Sequence, residues 1–150
     1  MSRRIALSVV TGAIALAGAG AFALAYAGDQ PPALTRSTAR YTAPDGGRDG
    51  SLVFSTEVTT SSGVKSLKVL AWPERSGLAA KQPTAEEMTQ AERAHCKPAG
   101  TGTVRCMYTA AVTAADAASS PHGSWHVAVL ATAEDGTTTL DTKAVDFTVD

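Results

Sequence analysis

The sequence predicts an all-β sandwich, and three observations carry that expectation. Several short segments alternate apolar and polar residues with the two-residue period of strands. Clusters of Gly, Pro, Asp and Ser separate them, as turns require. A single segment has a clean helix start, and its apolar stripe is narrow. The segment 123–136 organises the rest. Trp125, Val127, Val129 and Ala131 share one parity, and His126, Ala128, Leu130 and Thr132 the other. His122-Gly123 opens it and Asp135-Gly136 closes it, so it reads as the central strand. A small closed barrel is the alternative architecture.

From the start of the chain, Arg3 and Arg4 precede an uncharged, small-residue-rich apolar run that ends at Ala25-Tyr26-Ala27. This is the pattern of a cleaved signal peptide over 1–27, followed by a flexible leader over 28–33 and the sandwich domain over 34–150. The run is about long enough to anchor the chain in a bilayer. Its Gly/Ala composition and the polar Gly28-Asp29-Gln30 after the cleavage site favour export instead. The expected location is secreted, extracellular or envelope-associated, with no membrane contact after cleavage. Lys and Arg total 13 and Asp and Glu 14; without Arg3 and Arg4 the balance is about −3. Such a chain is soluble and offers no basic footprint for nucleic acid.

Residues 34–42 mix Leu34, Ala39 and Tyr41 with polar side chains and read as an edge strand. In Pro44-Asp45-Gly46-Gly47-Arg48-Asp49-Gly50, either Asp-Gly pair can supply the positive φ of a tight turn. Over 51–59, Leu52, Phe54, Thr56 and Val58 face one way and Val53, Ser55 and Glu57 the other. Ser61-Ser62-Gly63 turns the chain into 64–72, where Leu67, Val69 and Ala71 alternate with Ser66, Lys68, Leu70 and Trp72. These two strands are expected to form a hairpin. Pro73 ends the second of them, because it cannot donate to a ladder. Thr84 and Glu87 then make a capping box for one short helix over about 84–94. Residues 97–102 read as a loop. In 104–113, Cys106, Tyr108, Ala110 and Val112 form one face. A helical turn over 114–120 and the central strand follow. A last strand closes the chain, with Val145, Phe147 and Val149 on one parity. The total is about seven strands with one short helix in a connection. The expected core is Phe54, Leu67, Val69, Trp125, Val127, Val129 and Phe147.

The two cysteines, Cys96 and Cys106, suit a disulfide in an exported chain. Closing that loop contributes about 2–3 kcal/mol through the unfolded state. They form no Cys-x-x-Cys, so no redox catalyst is read. With His95, His122 and His126 they match no zinc spacing, and no metal or cofactor is expected. His126, opposite in parity to Trp125, is expected to be exposed. The stretch Asp45 to Thr56 lacks two carboxylates of a calcium loop and reads as a solvated turn. Ser62-Gly63-Val64-Lys65 fits Ser-x-x-Lys but precedes a strand and lacks the partner motifs of acyl-enzymes. Trp72 shares parity with Lys68; the favoured reading is that the short helix covers it, the alternative being an exposed aromatic on a possible binding surface.

Ser62-Gly63-Val64-Lys65-Ser66-Leu67-Lys68-Val69 resembles the Ser-Gly-Val-x-x-Val-x-Val turn and strand of bacterial immunoglobulin-like and fibronectin-like domains. Gly123-Ser124-Trp125-His126-Val127, through Ala131-Thr132-Ala133-Glu134-Asp135-Gly136, resembles a later strand of the same modules. The whole chain is similar to small secreted actinobacterial proteins of a domain-of-unknown-function family, on Ala39-Arg40-Tyr41-Thr42-Ala43-Pro44 and residues 65–73. The resemblance implies an immunoglobulin-like antiparallel sandwich outside the cell and brings no activity. The chain departs from antibody domains: Cys96 and Cys106 stand too close to bridge two sheets, and Tyr108 follows a Cys instead of preceding it. The expected function is a non-enzymatic exported module binding an extracellular protein or a cell-envelope ligand. The alternatives are a secreted protease inhibitor presenting the Cys96–Cys106 loop and, more distantly, a hydrolytic enzyme.

Overall fold

The computed structural model describes residues 30–150; the expected signal peptide and its cleavage point lie outside the described residues. Eight strands and three short helices follow one another: β1 (Ala33–Thr42), β2 (Gly50–Thr59), β3 (Val64–Pro73), α1 (Gly77–Ala80), α2 (Ala85–Met88), β4 (Glu92–Arg93), β5 (His95–Gly100), β6 (Thr103–Val112), α3 (Ala114–Ser119), β7 (Gly123–Ala133) and β8 (Thr138–Val149). They build two four-stranded sheets, ordered β1-β2-β6-β5 and β4-β3-β7-β8. Every pairing is antiparallel. The chain is an all-β sandwich.

The core follows the two-residue period. Phe54, Val58, Cys106, Leu67, Val69, Val127 and Val129 meet between the sheets, with Ala94 beside them. At one end Leu52, Ala71, Val112, Trp125 and Val149 form a second cluster, against which the half-buried Tyr41 and Phe147 pack. Trp125 lies with its ring centroid 5.9 Å from that of Phe147. Its indole N–H donates to the carbonyl of Pro121 at 2.9 Å, so this large ring is buried without an orphaned donor.

Four expectations are corrected by the packing. The strands β2 and β3 are not a hairpin. β2 is already flanked by β1 and β6, and the turn after it carries the chain across to the other sheet. Thr60 N–H donates to the Gly102 carbonyl on one side, and Gly63 (φ +97°) offers its carbonyl to Glu134 N–H on the other. The helix expected to reach residue 94 stops at Met88. Its capping box forms between Thr84 and Glu87, but the chain beyond gains more by pairing Glu92 and Arg93 with Val69 and Lys68. Ala94 N–H then donates to the Leu67 carbonyl. Residues 97–100, read as loop, extend β5, which pairs with β6. The leader is anchored from Pro32, which is buried and accepts a hydrogen bond from the Thr139 hydroxyl.

The turn between β1 and β2 uses its glycines in two different ways. Asp45 and Arg48 exchange both backbone hydrogen bonds, and Gly46 (φ +54°) and Gly47 (φ +80°) supply the two positive φ angles of a type I′ turn. Gly50 is needed for space instead. A Cβ there would stand 2.1 Å from the Thr42 carbonyl oxygen and 2.7 Å from the Pro44 nitrogen, both backbone atoms that cannot rotate away.

Two substitutions test this packing. Gly50→Ala is expected to destabilise by about 1–3 kcal/mol or more through forced backbone movement. Met88→Ala, which empties a fully buried site, is expected to cost about 2–5 kcal/mol. Urea unfolding monitored by dichroism reads both, and midpoints equal to that of the parent would refute the packing described.

Candidate functional site

The outer faces of the two sheets differ, and the difference creates the site. On the second sheet the residues facing away from the core are themselves buried: Trp72 on β3, and His126, Ala128 and Leu130 on β7. Residues 74–91 fold over them, and Leu78 of α1 and Met88 of α2 join Trp72, Ala128 and Leu130 in a third cluster. α1 is capped by the Ser76 hydroxyl, which accepts from Leu78 N–H and donates to the Pro73 carbonyl. The Trp72 indole donates to the Thr142 carbonyl at 3.0 Å, fastening the ring to β8.

Strand register then assembles a charged array. Trp72 lies opposite His126, and His126 opposite Asp146, so three neighbouring strands bring these side chains into one row. Glu74, one residue beyond β3, continues the pairing through its N–H to the Ser124 carbonyl. His126 Nδ1 is 2.6 Å from Asp146 Oδ1, and its Nε2 contacts Glu74 Oε2. The imidazole ring packs on Trp72 at 4.5 Å between centroids. Lys143 Nζ sits 3.9 Å from Glu74 Oε2 and 5.6 Å from the centre of the Trp72 ring. The His126 side chain is 7% exposed, against 47% for Glu74 and 67% for Asp146. A buried ring therefore connects two half-open carboxylates. Both nitrogens are occupied by acidic partners, so neither is left to take a proton from a nucleophile. What the array does is tie the covering segment to β8 through one buried ring.

Trp72 is 0% exposed beneath the connection that follows its own strand, so the alternative that set it on an open binding surface fails. One sequence expectation is overturned: His126, expected to be exposed, is buried, because that connection covers the face it shares. The sequence did carry a signal for this. Leu70, Trp72, Ala128 and Leu130 are apolar on the parity assigned to solvent, and Leu78 and Met88 stand in the segment that covers them. Nothing local pointed to Glu74 or Asp146, which reach His126 only through register.

Among the described residues nothing covers the outer side of the first sheet. Register sets Arg40, Val53 and Thr109 in one row, and Thr38, Ser55, Met107 and His95 in the next. A third row holds Thr35, Glu57, Arg105 and Lys97. Met107 is 48% exposed. Glu57 accepts a hydrogen bond from Arg105 at 2.8 Å, and Arg36 lies 3.7 Å away. The Arg105 bond, with smaller help from both positive charges, holds the Glu57 carboxyl below its ordinary range against a small opposing effect of burial.

Other candidates resolve as structure. Cys96 and Cys106 are bonded across directly opposed positions of β5 and β6, with Cys106 in the core. The segment they enclose is a hairpin whose tip is tied down at Gly102 by Thr60, not a projecting loop. Ser62 and Lys65 lie in a turn and at the start of β3, and the Ser62 hydroxyl bonds with Thr60 and Asp135 N–H. Asp135 accepts from both the hydroxyl and the N–H of Thr137, which lowers its pKa and stiffens the turn before β8. Among the described residues no three His, Cys, Asp or Glu side chains are grouped to hold a metal ion. A cleft between Tyr41, Leu52, Ala71, Trp125 and Phe147 has a volume of about 30 Å³. That is room for a water or a methyl group, far below the ~300 Å³ of a small-molecule site.

A family model described as a family of unknown function (DUF5707) matches residues 34–131. No curated protein and no solved structure matches the chain.

The Glu57 cluster gives a pH prediction with a definite sign. A carboxyl whose folded pKa is depressed contributes stability above its unfolded value, and that contribution disappears as the pH falls through the folded value. Carboxyl NMR titration is expected to place Glu57 below free glutamate, and Arg105→Gln is expected to move it back up. An unchanged midpoint in Arg105→Gln would show that the bond is not the cause.

Proposed function

Because the chain belongs to the family of unknown function DUF5707, which brings no activity with it, we propose a function from its geometry. It is an exported, non-enzymatic immunoglobulin-like module that binds an extracellular protein or a cell-envelope ligand through the outer face of its first sheet. One observation carries this reading: the second sheet is roofed by residues 74–91, while among the described residues the first is open along all four strands. The open face has the composition of a contact surface. Arg36, Arg40, Arg105 and Lys97 lie around the exposed thioether of Met107, with Glu57 the one acidic group in the described rows. Arg and Met are favoured at interfaces. The excess of positive charge in a chain of net negative charge orients an acidic partner toward this side.

The strand orders support the immunoglobulin-like assignment. With β1 to β8 lettered A, B, C, C′, D, E, F and G, the sheets read A-B-E-D and C′-C-F-G, the division of strands in immunoglobulin sandwiches. The N-terminal pattern and the Cys96–Cys106 bond support export.

The test is a pull-down from culture medium and solubilised envelope with the chain lacking residues 1–27. The parent should retain a specific component, and the face variants Arg40→Glu and Met107→Glu should weaken its capture roughly tenfold, as interface hot spots do. Lys81→Glu, on the roofed side, should leave capture intact. Capture that survives both face variants, or is lost equally with Lys81→Glu, would place the contact elsewhere.

A further inference from the structure

We propose that Glu74, His126 and Asp146 form a proton-operated latch, which holds residues 74–91 over Trp72 while His126 is doubly protonated and loosens them when the ring becomes neutral. A neutral imidazole carries one N–H and one lone pair, whereas the imidazolium carries two N–H donors. Both ring nitrogens of His126 face carboxylate oxygens, Nδ1 that of Asp146 and Nε2 that of Glu74. Only the imidazolium can donate to both. Loss of either proton sets a ring lone pair against a carboxylate.

The geometry also decides which contact gives way. Asp146 is held in the ladder between Phe147, opposite Trp125, and Val145, opposite Val127. Glu74 lies just past the last paired residue of β3, with its N–H to the Ser124 carbonyl as the neighbouring tie. The remaining proton therefore stays on Nδ1 toward Asp146, and Glu74 is released. Lys143 stands within reach to receive it, 3.9 Å from the same oxygen. The charged groups bearing on the ring are thus Glu74 from the covering segment and Asp146 from β8. Lys143, also on β8, acts through Glu74, and β3 presents the uncharged face of Trp72.

Glu74 is the first residue of the cover. Beyond it the cover is held by Ser76 on Pro73, by Leu78 and Met88 in the apolar cluster, and by the contact of Gln82 with Thr142. Freeing Glu74 removes the tie at the hinge end, so opening becomes a local event that leaves the sandwich intact. The sign follows from proton counting. The closed form holds the additional proton, so closure is favoured while the ring is charged and weakens as the pH rises through its titration. Protonation of both carboxylates in acid removes their negative charge and weakens closure from the other side. The apolar surface of Trp72, Met88 and Leu130 is what opening would expose.

Hydrogen exchange read by mass spectrometry tests this in the double variant His95→Gln/His122→Gln, where His126 is the one histidine left. Exchange of residues 74–91, corrected for the intrinsic pH dependence, should rise roughly tenfold between about pH 5 and pH 8, the range in which histidine changes charge. Exchange across β2 and β6 should stay constant. Glu74→Gln, at a half-open site that tolerates the change, should flatten the rise, because an amide can accept from the charged ring and donate to the neutral one. A pH-independent cover in the parent, or a rise that persists in Glu74→Gln, would overturn the latch.

Discussion

Strand β7 has no wet face, and the rest of the architecture answers to that constraint. One side of it supplies Trp125, Val127 and Val129 to the space between the sheets, and the other supplies His126, Ala128 and Leu130 to a second interior. Antiparallel sheets ordinarily tolerate water on one side. Here the apolar residues of β3 and β7 on the outward parity would expose Trp72 and Leu130 together, a contiguous patch whose contact with water is unfavourable. The connection between β3 and β4 is long enough to do so. Its two helices of four residues each are too short to be stable alone. They persist because Leu78 and Met88 are drawn into the cluster and because Ser76 and Thr84 cap them.

Covering that face buries a histidine, and burial dictates the rest of the array. An imidazole removed from water without partners loses more than its ring packing on Trp72 returns. Asp146 and Glu74 supply those partners, and both keep part of their carboxylates in solvent, which limits their own desolvation. The arrangement differs from a surface ion pair such as Arg36–Glu57, whose arginine side chain is 78% exposed and whose contribution is screened. At His126 removing one partner would leave a buried group facing an empty position, so the pair of acids acts as a unit.

The sandwich was legible because it rests on local alternation. Leu52, Phe54 and Val58 on β2, Leu67 and Val69 on β3, and Val127 and Val129 on β7 all point where a two-residue period puts them. The capping box at Thr84 was equally local. What escaped were features set by partners distant in sequence. A short turn after β2 looks the same whether the chain pairs back or crosses to the opposite sheet, and only the prior claims of β1 and β6 on β2 decide it. The helix from Thr84 ended early because β3 offered an open edge to Glu92 and Arg93. His126 was misplaced by the assumption that the second parity of a sandwich strand faces water. The apolar Leu70, Ala128 and Leu130 on that parity argued against it.

The sheet edges narrow the ways in which the proposed partner could be met. An exposed regular edge invites strand addition, and each edge here is interrupted. β4 is two residues long. β5 carries Pro98 and a register shift before Gly100. β1 breaks register between Thr35 and Thr38, where Arg36 adopts a left-handed φ of 53°. β8 shifts register against β7 between Val127 and Val129. These devices oppose edge-to-edge pairing, while the roof over β3 and β7 occupies the second sheet. Among the described residues the remaining continuous surface is the face on which Arg40, Ser55, Met107 and Lys97 are brought together by register alone. An interaction that uses side chains on that face, and leaves every backbone ladder as it is, fits the fold better than one that adds a strand to it.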